Sequence, residues 1–247
     1  MQTIWKWTRR WFLGIRRIPR SKNNYWLEIK FLMTDQLIHR GIVNKNYKEN
    51  LLKSFKQSFK KGYGIETDIH ATKDNEFICF HDFTLNRIFR KNFSVKNLNY
   101  SKIKEISSKN KKPIPLLKDL LKTSKNKHLL FIELKPVFSK KLLQKLLKET
   151  SKYTKCVFIS FNHKNIYNLL KIKSNTKVGL SFSNSTSAKV IIKKSNNKKI
   201  DYLILDKLFL KNPNIQNLKI KKYYYTIKTR SEFNKYNKKN NLIFENL

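Results

Sequence analysis

Short apolar runs recur at intervals from residue 35 onward, separated by segments with the spacing of amphipathic helices. The runs are rich in Ile, Leu, Val, Phe and Tyr and mostly lack polar alternation, which is typical of strands that are buried on both faces. We therefore predict eight strands: Gln36–His39, Gly64–His70, Leu129–Leu134, Cys156–Phe161, Val178–Phe182, Tyr202–Leu205, Tyr223–Ile227 and Leu242–Phe244.

Between these runs, apolar residues recur every three or four positions, which predicts helices. The predicted helices are Lys48–Lys61, Leu116–Leu121, Lys140–Ser151, Asn165–Lys171, Ser187–Lys194 and Arg230–Tyr236. Regular alternation of strands and helices is typical of βαβ units and a parallel sheet. Eight strands with intervening helices favour an α/β fold of the closed (β/α)8 TIM barrel type, occupying residues 34–247 as one domain.

A second short apolar run, Phe77–Asp82, follows the second predicted strand closely. The residues between them, Lys73-Asp74-Asn75-Glu76, are typical of a turn, because Asp and Asn hydrogen-bond to nearby backbone and tolerate left-handed conformations. We predict a small hairpin inserted after strand two.

Residues 1–33 form a separate basic, Trp-rich segment. On a helical wheel its first 20 residues place apolar and basic side chains on opposite faces, which predicts an amphipathic helix in the interface of an anionic membrane. The alternative is a helix packed on the barrel's own surface. The apolar face is Ile4, Trp7, Trp11, Ile15 and Ile18, and the basic face is Lys6, Arg9, Arg10, Arg16 and Arg17.

The formal net charge of +39 favours anionic partners, whether phospholipid, phosphodiester or nucleic acid, but its sign does not choose among them. A general bias towards Lys, Asn, Ile, Tyr and Phe explains most of this charge equally well. Aromatic residues lie in core-like runs rather than in a stacking platform, so we expect no specific nucleic-acid partner.

The widely spaced Cys79 and Cys156 predict buried free thiols in a reducing compartment. We therefore expect a cytoplasmic protein with peripheral contact at the inner face of the membrane.

Acidic residues are scarce but concentrate in and after the second strand. Glu66 and Asp68 are two positions apart, so both carboxylates point to the same face of the pleat, as a hard divalent cation requires. Other polar residues follow predicted strands one, three and eight: His39-Arg40, Glu133 with Lys135, and Glu245. Active sites of barrels lie at these carboxyl-terminal strand ends.

The ordered set of motifs over residues 37–245 resembles the glycerophosphodiester phosphodiesterase family. Two positions depart from the family pattern: Asn75 stands where Gly is usual, and Tyr225 where Trp is usual. The matching motifs are His39-Arg40-Gly41, Glu49-Asn50, Glu66-Thr67-Asp68, Thr72-Lys73-Asp74, His81-Asp82, Ile114-Pro115-Leu116-Leu117, Glu133-Leu134-Lys135 and Ser160-Phe161.

This resemblance implies a metal-dependent enzyme that hydrolyses glycerophosphodiesters to sn-glycerol 3-phosphate and an alcohol. It implies that Glu66, Asp68 and Glu133 hold Mg²⁺ or Ca²⁺. It further implies that His39 and His81 are the acid/base pair. Arg40 and Lys135 would then bind the substrate phosphate. These roles suit the reaction, because hydrolysis of a phosphodiester needs charge neutralisation, an acid and a base.

Two rival interpretations remain at this stage. The same site is compatible with a lysophospholipase D-type enzyme that acts on membrane lipid. A catalytically inactive basic module that binds membrane or nucleic acid is disfavoured, because it needs no intact set of carboxylates and histidines. We interpret His70 as a residue outside the catalytic set, and Glu245 as a residue that ties the barrel closed.

Overall fold

The computed structural model describes residues 35–245 and contains one nine-stranded sheet. Eight of its strands are parallel and follow one another around a barrel, which closes where the first strand pairs with the second. This arrangement confirms the predicted (β/α)8 TIM barrel. The strands are β1 (Gln36–His39), β2 (Gly64–Ala71), β3 (Phe77–Cys79), β4 (Leu130–Leu134), β5 (Cys156–Ser160), β6 (Val178–Phe182), β7 (Tyr202–Asp206), β8 (Lys221–Ile227) and β9 (Asn241–Phe244).

Helices connect successive barrel strands and cover the outside of the sheet. Three of the longer helices begin after a polar residue, Ser139, Asn162 or Ser187, whose side chain accepts a hydrogen bond from the first-turn backbone. The helices are α1 (Leu52–Lys60), α2 (Asn86–Phe89), α3 (Tyr100–Lys109), α4 (Leu117–Ser124), α5 (Lys140–Thr150), α6 (His163–Ile172), α7 (Ala188–Ser195), α8 (Pro213–Gln216) and α9 (Arg230–Tyr236).

The inside of the barrel is apolar at the amino-terminal ends of the strands and polar at their carboxyl-terminal ends. Leu37, Phe131 and Ile243 belong to one buried apolar cluster. Two positions further along the same strand faces come His39, Glu133 and Glu245. Apolar side chains therefore fill the barrel at the amino-terminal ends of its strands. The polar side chains lie at the opposite end, where the strand-to-helix loops begin.

The predicted hairpin after β2 is present, because β3 pairs with β2 in the antiparallel sense. Asn75 in its turn has φ of 62°, a left-handed conformation that Asn tolerates better than most residues with a side chain. The substitution of Asn for the usual Gly is thus compatible with the turn.

Residues 83–115 form a further insertion that the sequence pattern did not predict. It contains α2, a 3-10 turn at Val95–Asn97 and α3. These elements are short and rich in Lys and Asn, so their periodicity is weak. Their apolar residues pack with β3 in a cluster of their own: Ile78, Phe80, Leu85, Phe89, Val95, Ile103, Ile106, Ile114 and Leu116.

One boundary matters for the site. The helix predicted from Lys48 begins only at Leu52, because Asn50 adopts φ of 55° and its side chain is bonded to β2 rather than to a helix.

The predicted helix within residues 1–33 lies outside the described residues. Among residues 35–245, no helix is long and apolar enough to cross a membrane. Cys79 and Cys156 are buried free thiols, as expected.

Candidate active site

Three buried carboxylates meet at the carboxyl-terminal ends of β2 and β4. Strand register places Asp68 beside Glu133, while Glu66 points to the same face of β2. One ligand atom from each of Glu66, Asp68 and Glu133 lies within 4.8 Å of the others. The structure thus brings the three predicted metal ligands together.

The protonation behaviour of these carboxylates reflects crowding of negative charge in a buried place. Burial and the neighbouring carboxylates raise the pKa of Glu66 well above its usual value. Burial, with the charge of Asp68, raises the pKa of Glu133 to about 7. Burial acts in the same sense on Asp68, but the cations of Arg40 and Lys135 outweigh it and lower the pKa of that carboxyl.

A divalent cation fits this carboxylate group. The donors are all oxygen atoms, which suits Mg²⁺ or Ca²⁺ rather than zinc. In the part of the chain that the structure describes, Glu66 Oε2 is buried without a hydrogen-bond partner. A bound cation would satisfy this oxygen and offset the repulsion that raises the pKa of Glu66 and Glu133.

Two cations, Arg40 and Lys135, flank the carboxylates. Arg40 follows β1, and its Nε lies 3.1 Å from Asp68 Oδ2. Lys135 follows β4, and its Nζ lies 2.9 Å from Glu133 Oε1 and 3.5 Å from Asp68 Oδ1. Both are adjacent to the proposed metal ligands and supply positive charge at the same end of the barrel.

His39 lies at the end of β1, opposite Glu66 in the strand register. Its Nε2 is 3.7 Å from Glu66 Oε2, and its Nδ1 is 2.7 Å from Glu245 Oε2. The hydrogen bond from His39 lowers the pKa of Glu245 to about 2, so this carboxylate is ionised and accepts a hydrogen bond from the Nδ1–H group of His39. Glu245 thus joins β9 to β1, as the sequence predicted, and it does so through the ring of His39.

His81 approaches the site from the chain that follows β3. Its Nδ1 lies 2.6 Å from Asp82 Oδ1, and Asp82 Oδ2 accepts a hydrogen bond of 2.6 Å from Arg87 Nε. The neutral ring of His70 donates from Nε2 to the carbonyl oxygen of His81 at 3.1 Å. Burial lowers the pKa of His70 to about 4, which keeps it neutral. His70 therefore supports the backbone of His81.

Sequence reasoning assigned no role to Asn50, Glu49 or Arg87. Asn50 Nδ2 donates to Asp68 Oδ2 at 3.2 Å, and its Oδ1 accepts from Thr67 Oγ1 at 2.8 Å. Arg87 donates hydrogen bonds to both Asp82 and Glu49. Glu49 Oε1 also lies 3.5 Å from Arg40 Nη1. Glu49-Asn50 was visible as a motif, but contacts across the fold are needed to assign these partners.

Six of the predicted site residues line one cavity of about 480 Å³, a size suited to a small ligand. His39, His81, Glu66 and Glu133 line it together with Arg40 and Lys135. Its outer wall includes Tyr225, whose hydroxyl donates to the carbonyl oxygen of Phe182 at 3.0 Å and whose ring stands edge-on to Phe161. Tyr225, which replaces the usual Trp, thus forms part of the pocket wall, with its hydroxyl bonded to the backbone of Phe182.

Comparisons with known proteins agree with this geometry. The model of the glycerophosphoryl diester phosphodiesterase family matches residues 39–240. A glycerophosphodiester phosphodiesterase of Caldanaerobacter subterraneus is 30% identical over 159 residues, covering 58% of this chain and 65% of that protein. One from Bacillus altitudinis is 33% identical over 113 residues, covering 42% of this chain and 46% of that protein. The chain therefore spans less than two thirds of the length of either relative.

Solved structures share the fold at lower sequence identity. A glycerophosphodiester phosphodiesterase from Thermotoga maritima has a TM-score of 0.72 at 20% identity, covering 85% of this chain and 94% of that one. An Oleispira antarctica phosphodiesterase, in complex with the product sn-glycerol-3-phosphate, has a TM-score of 0.74 at 19% identity, covering 88% of this chain and 94% of that one. With the family match over most of the barrel, the chain belongs to the glycerophosphoryl diester phosphodiesterase family.

Proposed function

We propose that this protein hydrolyses glycerophosphodiesters to sn-glycerol 3-phosphate and a free alcohol. The observation that carries the proposal is the grouping of His39 and His81 around one cavity with Glu66 and Glu133. The family match supports the reaction class. The Oleispira relative, which was solved with sn-glycerol 3-phosphate, supports the product.

The proposed metal ligands are Glu66, Asp68 and Glu133, with Mg²⁺ or Ca²⁺ as the ion. A bound cation neutralises charge that develops on the phosphoryl oxygens during hydrolysis. Arg40 and Lys135 add positive charge beside the same carboxylates and would hold the substrate phosphate.

His39 and His81 are the proposed acid and base. Each ring has its Nδ1 within hydrogen-bond distance of a carboxylate, 2.7 Å from Glu245 and 2.6 Å from Asp82. A carboxylate at Nδ1 fixes the tautomer and orientation of an imidazole, so that Nε2 is the nitrogen that exchanges a proton with substrate. One ring would take the proton of the attacking hydroxyl, and the other would protonate the leaving alkoxide.

We further propose, from the family resemblance, that the neighbouring glycerol hydroxyl attacks first. Its oxygen forms a bond to phosphorus as the alcohol leaves, which gives a cyclic phosphate. Water then opens the ring to sn-glycerol 3-phosphate. The two histidines exchange roles between these steps, since the acid of the first step is left deprotonated.

Product analysis tests the proposal. The purified protein is incubated with glycerophosphocholine, glycerophosphoethanolamine or lysophosphatidylcholine, with and without a chelator, and glycerol 3-phosphate and choline are quantified. We expect glycerol 3-phosphate from the glycerophosphodiesters and its loss with chelator. Glu133→Gln should abolish turnover, whereas the matched control Glu149→Gln, on the outer helix α5, should not. Hydrolysis that persists in excess chelator would refute the metal-dependent mechanism.

A further inference from the structure

Large apolar side chains are exposed around the mouth of the proposed active site. Within residues 35–245, six large apolar side chains are exposed, and three of them lie just beyond the carboxyl-terminal ends of the parallel strands β4, β5 and β7. A fourth, Phe83, follows the antiparallel β3, and its ring stands edge-on to His70, which is bonded to the backbone of His81. The four side chains are Phe83 (57% exposed), Val137 (51%), Phe161 (43%) and Leu208 (62%).

A fifth exposed side chain, Phe93, belongs to the same region. Its carbonyl oxygen accepts a hydrogen bond from the Leu85 backbone, and Val95 donates to the carbonyl of Phe83. Phe93 therefore lies in the strand-like segment paired with the Phe83 segment. We call Phe83, Phe93, Val137, Phe161 and Leu208 the apolar rim. The sixth exposed side chain, Val190, is on the outer helix α7.

The loops that carry the rim are also strongly basic. Residues 80–99, 135–139, 161–162 and 207–212 contain a single carboxylate, Asp82, which is paired with Arg87. The same loops contain seven cations: Arg87, Arg90, Lys91, Lys96, Lys135, Lys207 and Lys211. Arg87, Lys135 and Lys207 are paired with carboxylates, whereas Arg90, Lys91, Lys96 and Lys211 have no ion-pair partner among the described residues. Exposed apolar side chains set beside these four cations match the surface of an anionic bilayer, which offers acyl chains beneath phosphate groups.

We propose that the apolar rim docks on an anionic lipid bilayer, with the active-site cavity facing the membrane. Phe161 joins the two features, since it is exposed in the rim and also lines the cavity. Docking at the rim does not require the proposed reaction. Its consequence, that the site receives diesters directly from the lipid surface, rests on the proposed function.

Other occupants fit the rim less well. A second copy of the chain would bring together two surfaces of the same sign, which repel each other. A single-stranded nucleic acid would use aromatic rings for stacking, whereas Val137 and Leu208 offer no such face. Aliphatic and aromatic side chains together, at the ends of loops, suit insertion among acyl chains.

The test locates the contact on the full-length protein, because the basic N-terminal segment also has the composition of a membrane binder. An environment-sensitive nitrobenzoxadiazole label is attached to Val137→Cys, Leu208→Cys or Val190→Cys. The native Cys79 and Cys156 are buried, so labelling is selective for the introduced thiol. Vesicles contain phosphatidylglycerol and phosphatidylcholine, or phosphatidylcholine alone.

We expect the emission of labels at positions 137 and 208 to shift to the blue on phosphatidylglycerol vesicles, while the label at 190 stays unchanged. An equal shift at position 190, or no shift at 137 and 208, would overturn the proposal. A shift that appears without vesicles as protein concentration rises would mean self-association at the rim and would also overturn it.

Affinity gives a second measurement. The double variant Val137→Ser/Leu208→Ser should bind phosphatidylglycerol vesicles at least about fivefold more weakly, because it removes apolar area that becomes buried in the bilayer. The matched control Val190→Ser should bind as the wild type does. All these variants should hydrolyse glycerophosphocholine at the wild-type rate. If no variant hydrolyses it but the labels still respond, the proposed function fails and the docking surface stands.

Discussion

His39 and Glu245 are separated by 206 residues in the sequence, yet His39 Nδ1 lies 2.7 Å from Glu245 Oε2. The contact forms because β1 and β9 are neighbours at the closure of the barrel. The last strand of the described fold thus orients a side chain from the first. A carboxylate also lies within hydrogen-bond distance of Nδ1 of His81, but it belongs to the next residue in the sequence, Asp82.

Glu245 is bonded to Nδ1 of His39, the proposed acid or base, so its removal should slow the proposed reaction without preventing substrate binding. We expect Glu245→Ala to lower kcat about 10- to 100-fold with a small change in KM, the usual range for losing a carboxylate that orients a functional histidine. Steady-state kinetics over a range of pH measures the effect. Glu232→Ala removes a carboxylate paired with Lys207 instead and should leave kcat unchanged. A native kcat in Glu245→Ala would contradict the positioning role.

His39→Ala and His81→Ala should each reduce turnover of glycerophosphocholine by about 100-fold or more, the scale of losing a general acid or base. His128 offers a matched control, because it stacks on Phe59 away from the cavity. His128→Ala should therefore keep the wild-type rate. Circular dichroism establishes that each variant is folded. Full activity in His39→Ala or His81→Ala would show that the replaced histidine is neither the acid nor the base.

Metal binding should release protons near neutral pH. The pKa of Glu133 is raised to about 7 by burial and by Asp68, so part of the metal-free protein carries this proton at pH 7. Calorimetric titration with Mg²⁺ or Ca²⁺ in buffers of different ionisation enthalpy measures the release. We expect proton release at pH 6 and less at pH 8, with affinity rising as pH increases. Equal affinity and no proton release across this range would argue against Glu133 as a ligand.

His163 should make the fold less stable as the solution is acidified. Its Nε2 lies 2.9 Å from the carbonyl oxygen of Ser181, and its Nδ1 lies 2.6 Å from Lys194 Nζ, an arrangement that requires the neutral ring. Burial lowers the pKa of His163 below its usual value. As pH falls, the unfolded chain therefore takes up this proton before the folded protein does, and the free energy of unfolding decreases.

Urea unfolding at pH 7 and pH 5 checks this expectation. His163→Gln should lose less stability between the two pH values than the wild type does, even if it is less stable at pH 7. Thr186→Ala, in a nearby loop, alters no ionisable group and should reproduce the wild-type difference. An unchanged difference in His163→Gln would show that this ring titrates equally in both states.

The sequence by itself determined the eight barrel strands and the face that carries Glu66 and Asp68. Local rules suffice there, because side chains two apart on a strand share a face and buried parallel strands appear as continuous apolar runs. Ordered motifs also predicted the seven residues of the proposed site, and the fold places these residues at one end of the barrel. The short helices of the 83–115 insertion were not predicted, because they are stabilised by packing against β3 rather than by a strong local pattern.

Tertiary structure alone decided which groups act on one another. Asn50 lies in a region of helical pattern, yet its left-handed backbone and its bonds to Thr67 and Asp68 hold it in a loop, because these bonds satisfy polar groups that are buried beside the carboxylates. The pKa of Glu133 depends on its burial next to Asp68 on another strand. Closure of the barrel likewise brings Glu245 to His39. Each of these effects arises from distances between residues far apart in the chain, which local sequence patterns do not specify.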